Sequence, residues 1–303
     1  MIELLQLEPY VIKTPWAGSR MSSFRTIPAT GGGIYREVCS YKNQSNLWLN
    51  GPEPNISLRE GLNKYHDEIM GNDTAADLIR LAFMDTAEPL SIQVHPDEKL
   101  AVELGDSEKT EAWYIIDCAS DAYVIAGTTL EHKSEIKKQI LDKTIDDYLI
   151  KLPVHKHDLV LIPSGLMHAC GCNILALEIG SFGGLTFRLY DYERGRKLDV
   201  DLGITALKPA GRALKKNCSI RHENQRYNVL KHRLFRIDIL DLRTSFHVPK
   251  RDRYEILTNV DGVVNIIVNE RSYPLPQMAS LIIPACQTDY DIIGKGRLLI
   301  SYR

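Results

Sequence analysis

The sequence shows no excess of charge of either sign. Its 303 residues include 37 Lys and Arg and 39 Asp and Glu, which gives a formal net charge of −2. Because proteins that bind nucleic acids usually carry a basic surplus, charge gives no reason to expect a DNA or RNA partner. The 44% of hydrophobic and 25% of charged residues are typical of an ordinary globular protein.

Long apolar segments are also missing. No stretch approaches the roughly 20 apolar residues that a membrane-spanning helix needs. The first residues, MIELLQLEPYVIKTPW, lack the basic start and the apolar run of a signal peptide. We therefore expect a cytoplasmic protein without a membrane partner.

Cysteine is scarce and scattered along the chain. The six cysteines are Cys39, Cys118, Cys170, Cys172, Cys218 and Cys286. The closest two, at positions 170 and 172, form C-x-C rather than C-x-x-C, and no second close pair could complete a thiolate metal site. We expect free and mostly buried thiols, not a disulfide framework.

The sequence is rich in short β-type segments separated by turns, as in a sandwich or barrel. In the first half they are Leu90–Val94, Ala112–Ile116, Ala122–Ala126, Asp158–Ile162 and Ile174–Ile179. In the second half they are Phe235–Leu242, Tyr254–Asn259, Gly262–Val268, Met278–Ile283 and Arg297–Tyr302. The residues from Asn259 to Gly262 are predicted to be a hairpin connection.

Three segments are predicted to be helical. Ser57 suits the N-cap of a helix through Leu58 and Leu62 towards Ile69. Asp73 or Thr74 suits the N-cap of a helix over residues 75–83, and residues 133–152 carry apolar side chains at helical spacing.

A weak internal repeat links the two β-rich regions. In each region an apolar strand ends in Ile-Pro, at Ile162-Pro163 and at Ile283-Pro284, and a loop and a second apolar strand follow. Two related β-barrels explain this pattern with the fewest assumptions. The sequence therefore predicts a mainly β fold with a few helices around the N-terminal barrel.

The segment from Pro163 to His168 is the first candidate for chemistry. Proline ends the preceding strand and Gly165 permits a tight turn with a positive φ, so His168 can point into the mouth of a barrel. If the segment stood alone, a surface turn with an incidental histidine would be the favoured explanation.

Two further segments place polar side chains on one face of a strand. In Ser91-Ile-Gln93-Val-His95, residues two apart point the same way, so Gln93 and His95 share a face. A buried glutamine needs a partner for its amide, which either a metal or a polar neighbour provides. Lys109 and Glu111 likewise share a face before an apolar strand, and an exposed ion pair is the simple alternative.

Together these segments resemble the cupin superfamily and, within it, the type I mannose-6-phosphate isomerases. Pro163, Gly165 and His168 resemble the second cupin motif, and Gln93-Val-His95 replaces the usual H-x-H of the first, as in these isomerases. K-x-E-x-W follows at residues 109–113, and the segment LTFRLYDYER at residues 185–194 resembles their T-Y-R-x-Y-D-x-x-R block.

The resemblance implies a site and two domains. It implies one Zn²⁺ per chain, with other divalent transition metals also suited to the ligands, bound by Gln93, His95, Glu111 and His168. It implies a catalytic domain in residues 1–205, in which Arg188 and Lys109 act on the substrate and Ser91 is a further substrate contact. Residues 206–303 would form a second cupin-like domain without metal ligands, since Asp289 stands where the repeat would place the histidine.

The implied reaction is the interconversion of mannose 6-phosphate and fructose 6-phosphate through an enediolate. The candidate bases are Lys109, Glu111 and a metal-bound water. Two alternatives are a non-catalytic metal-binding cupin that binds or senses a sugar or sugar phosphate, and a metal-dependent oxygenase, against which Gln93 argues. Departures from the family at Ala17, Cys39 and Gly183-Gly184 leave the sugar open, and we expect a monomer or a homodimer.

Overall fold

The structure of the protein is a computed structural model that describes residues 2–27 and 31–303. Most of the regular structure in this part of the chain is β-strand. The strands are β1 (Leu5–Glu8), β2 (Tyr10–Lys13), β3 (Gly33–Val38), β4 (Ser40–Tyr41), β5 (Gln44–Ser45), β6 (Leu47–Trp48), β7 (Arg80–Thr86), β8 (Ile92–Val94), β9 (Glu111–Cys118), β10 (Tyr123–Thr128), β11 (Leu149–Pro153), β12 (Asp158–Ile162), β13 (His168–Cys170), β14 (Ile174–Gly180), β15 (Phe187–Tyr190), β16 (Leu214–Asn217), β17 (Arg226–Lys231), β18 (Arg236–Leu242), β19 (Ser245–Val248), β20 (Glu255–Val268), β21 (Arg271–Leu275), β22 (Ala279–Ile283) and β23 (Tyr290–Tyr302).

The helices in the described residues are short. The α-helices are α1 (Leu58–Lys64), α2 (His66–Met70), α3 (Glu98–Glu103), α4 (Lys133–Leu141) and α5 (Val200–Ala206). The 3₁₀ helices are Arg20–Ser23, Ala75–Asp77 and Ile145–Tyr148. Among the described helices, none has both the length and the apolar character needed to cross a membrane.

The chain forms two compact units, each built from separate stretches of sequence. The first unit contains Met1–Tyr10, Tyr35–Ala82 and Ile220–Arg303, and the second contains Val11–Ile34 and Phe83–Ser219. These units do not follow a single cut in the sequence. The division of the chain into domains of residues 1–205 and 206–303 stays a prediction.

The first unit is organised around one antiparallel sheet. Its main path runs β17-β18-β23-β20-β22-β1-β6, with β19 paired to β23 and β21 paired to β20. Apolar residues that alternate along these strands form a buried cluster, which includes Leu240, Leu257, Ile266, Leu281 and Ile300. This burial of one face of a sheet is what the period-two pattern of the C-terminal strands predicts.

The second unit holds the strands that carry the candidate site. One sheet has the order β11-β10-β13-β8-β15. In a second sheet, β16, β12, β9 and β14 lie side by side in that order within this unit. Apolar side chains from both sheets form a single buried cluster that includes Ile92, Val124, Trp113, Val160 and Ile174. The mainly β fold predicted from the sequence is confirmed.

The N-terminus of α1 has the capping arrangement that the sequence predicts. The Ser57 Oγ accepts a hydrogen bond from the Glu60 backbone N–H at 3.2 Å, and the Glu60 carboxylate accepts one from the Ser57 N–H at 2.9 Å. This reciprocal pair is a capping box, and it satisfies donors that the first turn leaves unpaired. The helical segment ends at Lys64, and a second short helix, α2, follows.

Two predicted helices are wrong in part. Residues 75–83 form only a 3₁₀ turn at Ala75–Asp77, and the chain then enters β7, in which all seven residues are buried. A strand buried on both faces is continuously apolar, so its side chains can also match a helical spacing. Residues 133–152 form α4 only as far as Leu141, and β11 begins at Leu149 after a turn in which Lys143 has a φ of 60°.

The predicted hairpin between Asn259 and Gly262 is also wrong. These residues lie within the single long strand β20, which pairs with β23 on both sides of a register shift between Asn259 and Asp261. Gly262 has a φ of 88°, so the glycine marks an irregularity of the strand and not a chain reversal.

Candidate active site

Three neighbouring strands of the five-stranded sheet place side chains on one face. His168, at the start of β13, is paired with Gln93 of β8, and Gln93 is paired with Arg188 of β15. Residues directly opposite each other in a sheet point to the same face. The backbone register alone therefore puts Gln93, His168 and Arg188 side by side.

The turn before β13 has the conformation predicted from its sequence. Gly165 has a φ of 82°, a region that costs glycine little. Its backbone N–H donates to the His95 carbonyl at 2.8 Å, so the turn is tied to the residue that follows β8. This hydrogen bond holds together the two segments that supply His95 and His168.

Glu111 reaches the same place from the other sheet. It begins β9 and pairs with Ile162 of β12 and with Gly180 of β14, so strands on both sides fix its backbone. Its Oε1 lies 3.2 Å from His168 Nε2 and 3.6 Å from His95 Nε2. The Glu111 carboxylate and the two imidazoles form the one group of three closely spaced metal-ligating side chains found in the described residues.

The tautomer of each imidazole follows from a backbone carbonyl. His95 Nδ1 lies 2.9 Å from the Leu185 carbonyl oxygen, and His168 Nδ1 lies 2.8 Å from the Leu166 carbonyl oxygen. A carbonyl oxygen can only accept, so each Nδ1 carries the proton and each Nε2 presents a lone pair towards Glu111. This second contact, which orients the imidazole, is common in metal-binding histidines.

The charge states of the site suit a cation. Burial lowers the pKa of His95 to about 3, with help from the Lys109 charge and against the effect of Glu111. Burial alone would raise the pKa of the Glu111 carboxyl, but Lys109 and the two imidazoles outweigh it and hold the pKa well below its usual value. A neutral imidazole and an ionised carboxylate are the forms that bind metal.

The residues present fit a divalent metal. His95 Nε2 and Glu111 Oε1 are buried and have no hydrogen-bond partner among the described residues. Leaving such atoms unpaired costs free energy, and a cation between them would remove that cost. Two nitrogens and a carboxylate oxygen are donors that Zn²⁺ prefers.

Gln93 lies beside these three ligands. Its Nε2 is 3.2 Å from His168 Nε2, so in the orientation shown the amide donates to that lone pair. Rotating the amide by 180° would bring Oε1 to the same position, which is the orientation that a metal ligand needs. The structure thus brings together all four residues predicted to bind the metal.

Lys109 contacts Glu111 of the site and also Glu178, which was not predicted from the sequence. Its Nζ lies 2.7 Å from Glu111 Oε2 and 3.2 Å from Glu178 Oε1, and all three side chains are nearly fully buried. Glu178 lies in the apolar strand β14, so a single acid in an otherwise apolar run was the signal for it. Trp113 was noted only as part of a motif, and its ring lies edge-on to His168 at 5.7 Å.

The other two predicted substrate contacts are less closely connected. Arg188 donates from Nη1 to the Lys197 carbonyl at 2.7 Å, and its Nε is buried without a hydrogen-bond partner. Burial and the nearby Arg196 lower the pKa of Arg188, against the effect of Asp191 and Asp199. Ser91 is buried directly before β8, and its role stays a prediction.

Comparison with known proteins finds similarity to mannose-6-phosphate isomerases. A family model described as the cupin domain of mannose-6-phosphate isomerase matches residues 224–303. The mannose-6-phosphate isomerase ManA of Bacillus subtilis is 27% identical over 316 residues, which cover 99% of both chains. Over its full length the chain is therefore similar to mannose-6-phosphate isomerases. The matched residues 224–303 lie in the first unit, so the similarity at the candidate site residues rests on the full-length relative.

Solved structures of this family share the fold. The crystal structure of the mannose 6-phosphate isomerase from Bacillus subtilis superposes with a TM-score of 0.88 at 24% identity and covers 99% of this chain and 100% of its own. A structure described as a zinc-bound mannose 6-phosphate isomerase gives a TM-score of 0.79 at 12% identity and covers 99% of both chains. The predicted cupin-type fold is therefore confirmed.

Proposed function

We propose that this protein is a zinc-dependent isomerase that interconverts mannose 6-phosphate and fructose 6-phosphate. The observation that carries the proposal is the buried meeting of His95 Nε2, His168 Nε2 and Glu111 Oε1, of which the His95 and Glu111 atoms have no hydrogen-bond partner among the described residues. The family supports the reaction and the substrate, and a relative's structure described as zinc-bound supports the metal.

The metal would be held by His95, His168, Glu111 and the oxygen of Gln93. A bound divalent cation supplies a Lewis acid that polarises a substrate oxygen and stabilises negative charge developing there. The protein's own contribution is to fix the ligands through the Leu185 and Leu166 carbonyls and to bury them. The buried setting strengthens every charge interaction in the site.

Lys109 is assigned to hydrogen-bond donation at the substrate. The reaction moves a proton between C2 and C1 through an enediolate, so negative charge appears on the substrate oxygens. The Lys109 ammonium lies between the Glu111 and Glu178 carboxylates, which hold it in place as a hydrogen-bond donor. A donor next to the developing oxyanion lowers the barrier, and Glu178 positions it.

Arg188 is assigned to the anionic part of the substrate. It shares a face with Gln93 and His168, and its Nε has no hydrogen-bond partner among the described residues, so this donor is available to a ligand. A guanidinium offers several donors in a forked arrangement that matches phosphate or enediolate oxygens. Ser91 is proposed as a minor substrate contact beside them.

The test combines metal content with turnover. The purified protein should contain about one zinc per chain, lose conversion of mannose 6-phosphate with a chelator and regain it when zinc is added back. His168→Ala should lose both metal and activity, whereas Arg188→Ala should lose activity and keep the metal. Activity that survives complete metal removal would contradict the proposal.

The same assay separates the alternatives. Bound metal and tight sugar-phosphate binding without turnover would identify a binding or sensing protein. Oxygen consumption in place of isomerisation would identify an oxygenase.

A further inference from the structure

The first unit contains a basic pocket, whereas the metal-site residues belong to the second unit. The pocket has a volume of about 430 Å³ and is lined by residues 72–73, residues 250–253 and Arg303. Gly71 and Arg253 form a β-bridge, and a Cβ on Gly71 would lie 3.1 Å from the Asp252 carbonyl oxygen. The loop after α2 is therefore packed closely against the loop before β20, and this contact fixes the two sides of the pocket.

Arg253 is held by an aromatic ring and not by a carboxylate. Its guanidinium carbon lies 5.1 Å from the centre of the Tyr302 ring. The Tyr302 hydroxyl donates to Asp238 Oδ1 at 3.2 Å, which fixes the ring. A cation–π contact uses the face of the guanidinium and leaves its N–H edge available to a ligand.

Arg251 has a donor without a partner. Its Nε is buried and makes no hydrogen bond in the described part of the chain. A buried N–H that is left unpaired costs free energy. Acceptor oxygens of a bound anion would satisfy it.

Two other arginines of the same unit, Arg226 and Arg303, have a structural role because they donate to groups within the fold. Arg226 donates to Asp238 at 2.7 Å and to both oxygens of Glu255, so its donors are used within the fold. Arg303 pairs with Asp77 at 3.1 Å and donates to the Arg233 carbonyl. Arg251 and Arg253 differ from them because no carboxylate of the described residues pairs with either.

Two acids in the lining set a limit on the positive charge. Asp252 lies 3.7 Å from Lys250, and Asp73 lies on the opposite side of the pocket. Burial and Asp77 raise the pKa of Asp73, against the effect of Arg303 and Arg253. The four cations still outnumber these two carboxylates, so the lining favours an anion.

We propose that this pocket binds a phosphoryl group, presented either by inorganic phosphate or by a phosphorylated small molecule. The two unpaired guanidinium groups supply forked donors that match tetrahedral phosphate oxygens. The volume lies within the usual range of small-molecule pockets. The proposal is independent of the reaction assigned to the metal centre.

The test measures phosphate binding by isothermal titration in full-length Arg188→Ala protein, so that the arginine assigned to the anionic part of the substrate does not contribute. Inorganic phosphate should bind, and adding Arg251→Gln and Arg253→Gln should weaken binding at least about tenfold. Arg243→Gln, which removes an exposed arginine paired with Glu223, is the matched control and should change little. Binding should also weaken with added salt.

A further variant with the opposite expected effect keeps the test valid if the double variant does not fold. Asp73→Asn removes a negative charge from the lining and should tighten phosphate binding. Absence of phosphate binding, or equal binding in the double variant and in the Arg243→Gln control, would overturn the proposal. A parallel titration with fructose 6-phosphate identifies the source, because affinity above that of phosphate indicates a phosphorylated small molecule and equal affinity indicates phosphate itself.

Discussion

The ammonium of Lys109 lies 2.7 Å from Glu111 Oε2, and both side chains are almost completely buried. Glu178 approaches the same Nζ to 3.2 Å, so a single cation is shared by two buried carboxylates. Removing one partner of a buried pair leaves uncompensated charge, which is far more costly than losing an exposed ion pair. Two properties, stability and turnover, should therefore respond to this one side chain.

Lys109→Met should lower the free energy of unfolding by about 3–5 kcal/mol, because the buried Glu111 and Glu178 carboxylates lose the cation between them. Urea unfolding of the metal-free protein measures this. The control is Lys137→Met, which breaks an exposed pair with Asp201 and should cost less than about 1 kcal/mol. Equal losses of unfolding free energy in the two variants would show that the buried ion pair contributes no more to stability than the exposed one.

Under the proposed reaction, Lys109→Arg should keep the folded state and still lower kcat. Arginine retains the charge between Glu111 and Glu178, but its larger head group cannot place a donor where Nζ lies. We expect a loss of about 10²–10³-fold, the usual cost of removing one hydrogen-bond donor to a developing oxyanion. Steady-state kinetics and thermal unfolding of the same sample separate the two effects.

His168→Ala should abolish zinc binding, because it removes one of the converging Nε2 atoms. Adding zinc should raise the melting temperature of the wild-type protein and leave that of the variant unchanged, since only the native wild-type site binds the ion. His247→Ala, at an exposed histidine paired with Asp291, is the control and should bind zinc normally. Elemental analysis and thermal melts provide the two readouts.

The metal-free protein should lose stability as the pH is lowered. Burial lowers the pKa of His95 to about 3 from the value of 6.5 expected in the unfolded chain. Between these values the unfolded state binds a proton that the folded state does not, so acidification favours unfolding. Glu111 acts in the same direction below 4.5, because its pKa is lowered in the folded state.

Unfolding by urea at about pH 7.5 and about pH 5 measures this dependence. His95→Gln replaces the titrating imidazole with a neutral amide, and the loss of stability between the two pH values should be smaller. An unchanged loss in this variant would assign the acid sensitivity to other groups.

Ser57→Ala should destabilise the protein by about 1 kcal/mol, as expected for removal of an N-cap. The hydroxyl accepts the hydrogen bond from Glu60 N–H, and alanine cannot replace it. Glu60→Gln keeps the length of the side chain and tests the other half of the capping box. Chemical denaturation of both variants decides whether the cap contributes to the stability of the whole first unit.

Three of the four residues of the candidate metal site could be singled out from local constraints in the sequence. Gln93 and His95 share a face by strand alternation, and the Gly165 turn aims His168, so short segments of sequence contain the geometry. Glu111 was predictable only through its place in a motif. Glu178 was not found, because its role depends on a Lys109 contact across neighbouring strands, and nothing in its own segment shows that pairing.

The wrong predictions of secondary structure came from sequence patterns that fit two different kinds of local structure. Leu78, Leu81 and Ala82 recur at helical spacing, but burial of Leu78 before β7 and of Leu81 and Ala82 within β7 explains them equally well. Gly262 was interpreted as part of a turn that reverses the chain. In the structure it lies inside the long strand β20 with a positive φ, a conformation that favours glycine just as a turn does. Tertiary pairing, which the local sequence does not contain, decided both cases.

The pairing of β1 with β22 has a consequence for how the first unit is made. Leu5 is the register partner of Ile282, so the ribosome must synthesise almost the whole chain before this strand finds its neighbour. At about 5–20 residues per second, that interval is on the order of tens of seconds. During this time the edge of β1 is open to incorrect pairing or to capture by a chaperone. The nascent chain, and not only the finished enzyme, is therefore susceptible to misfolding at this strand.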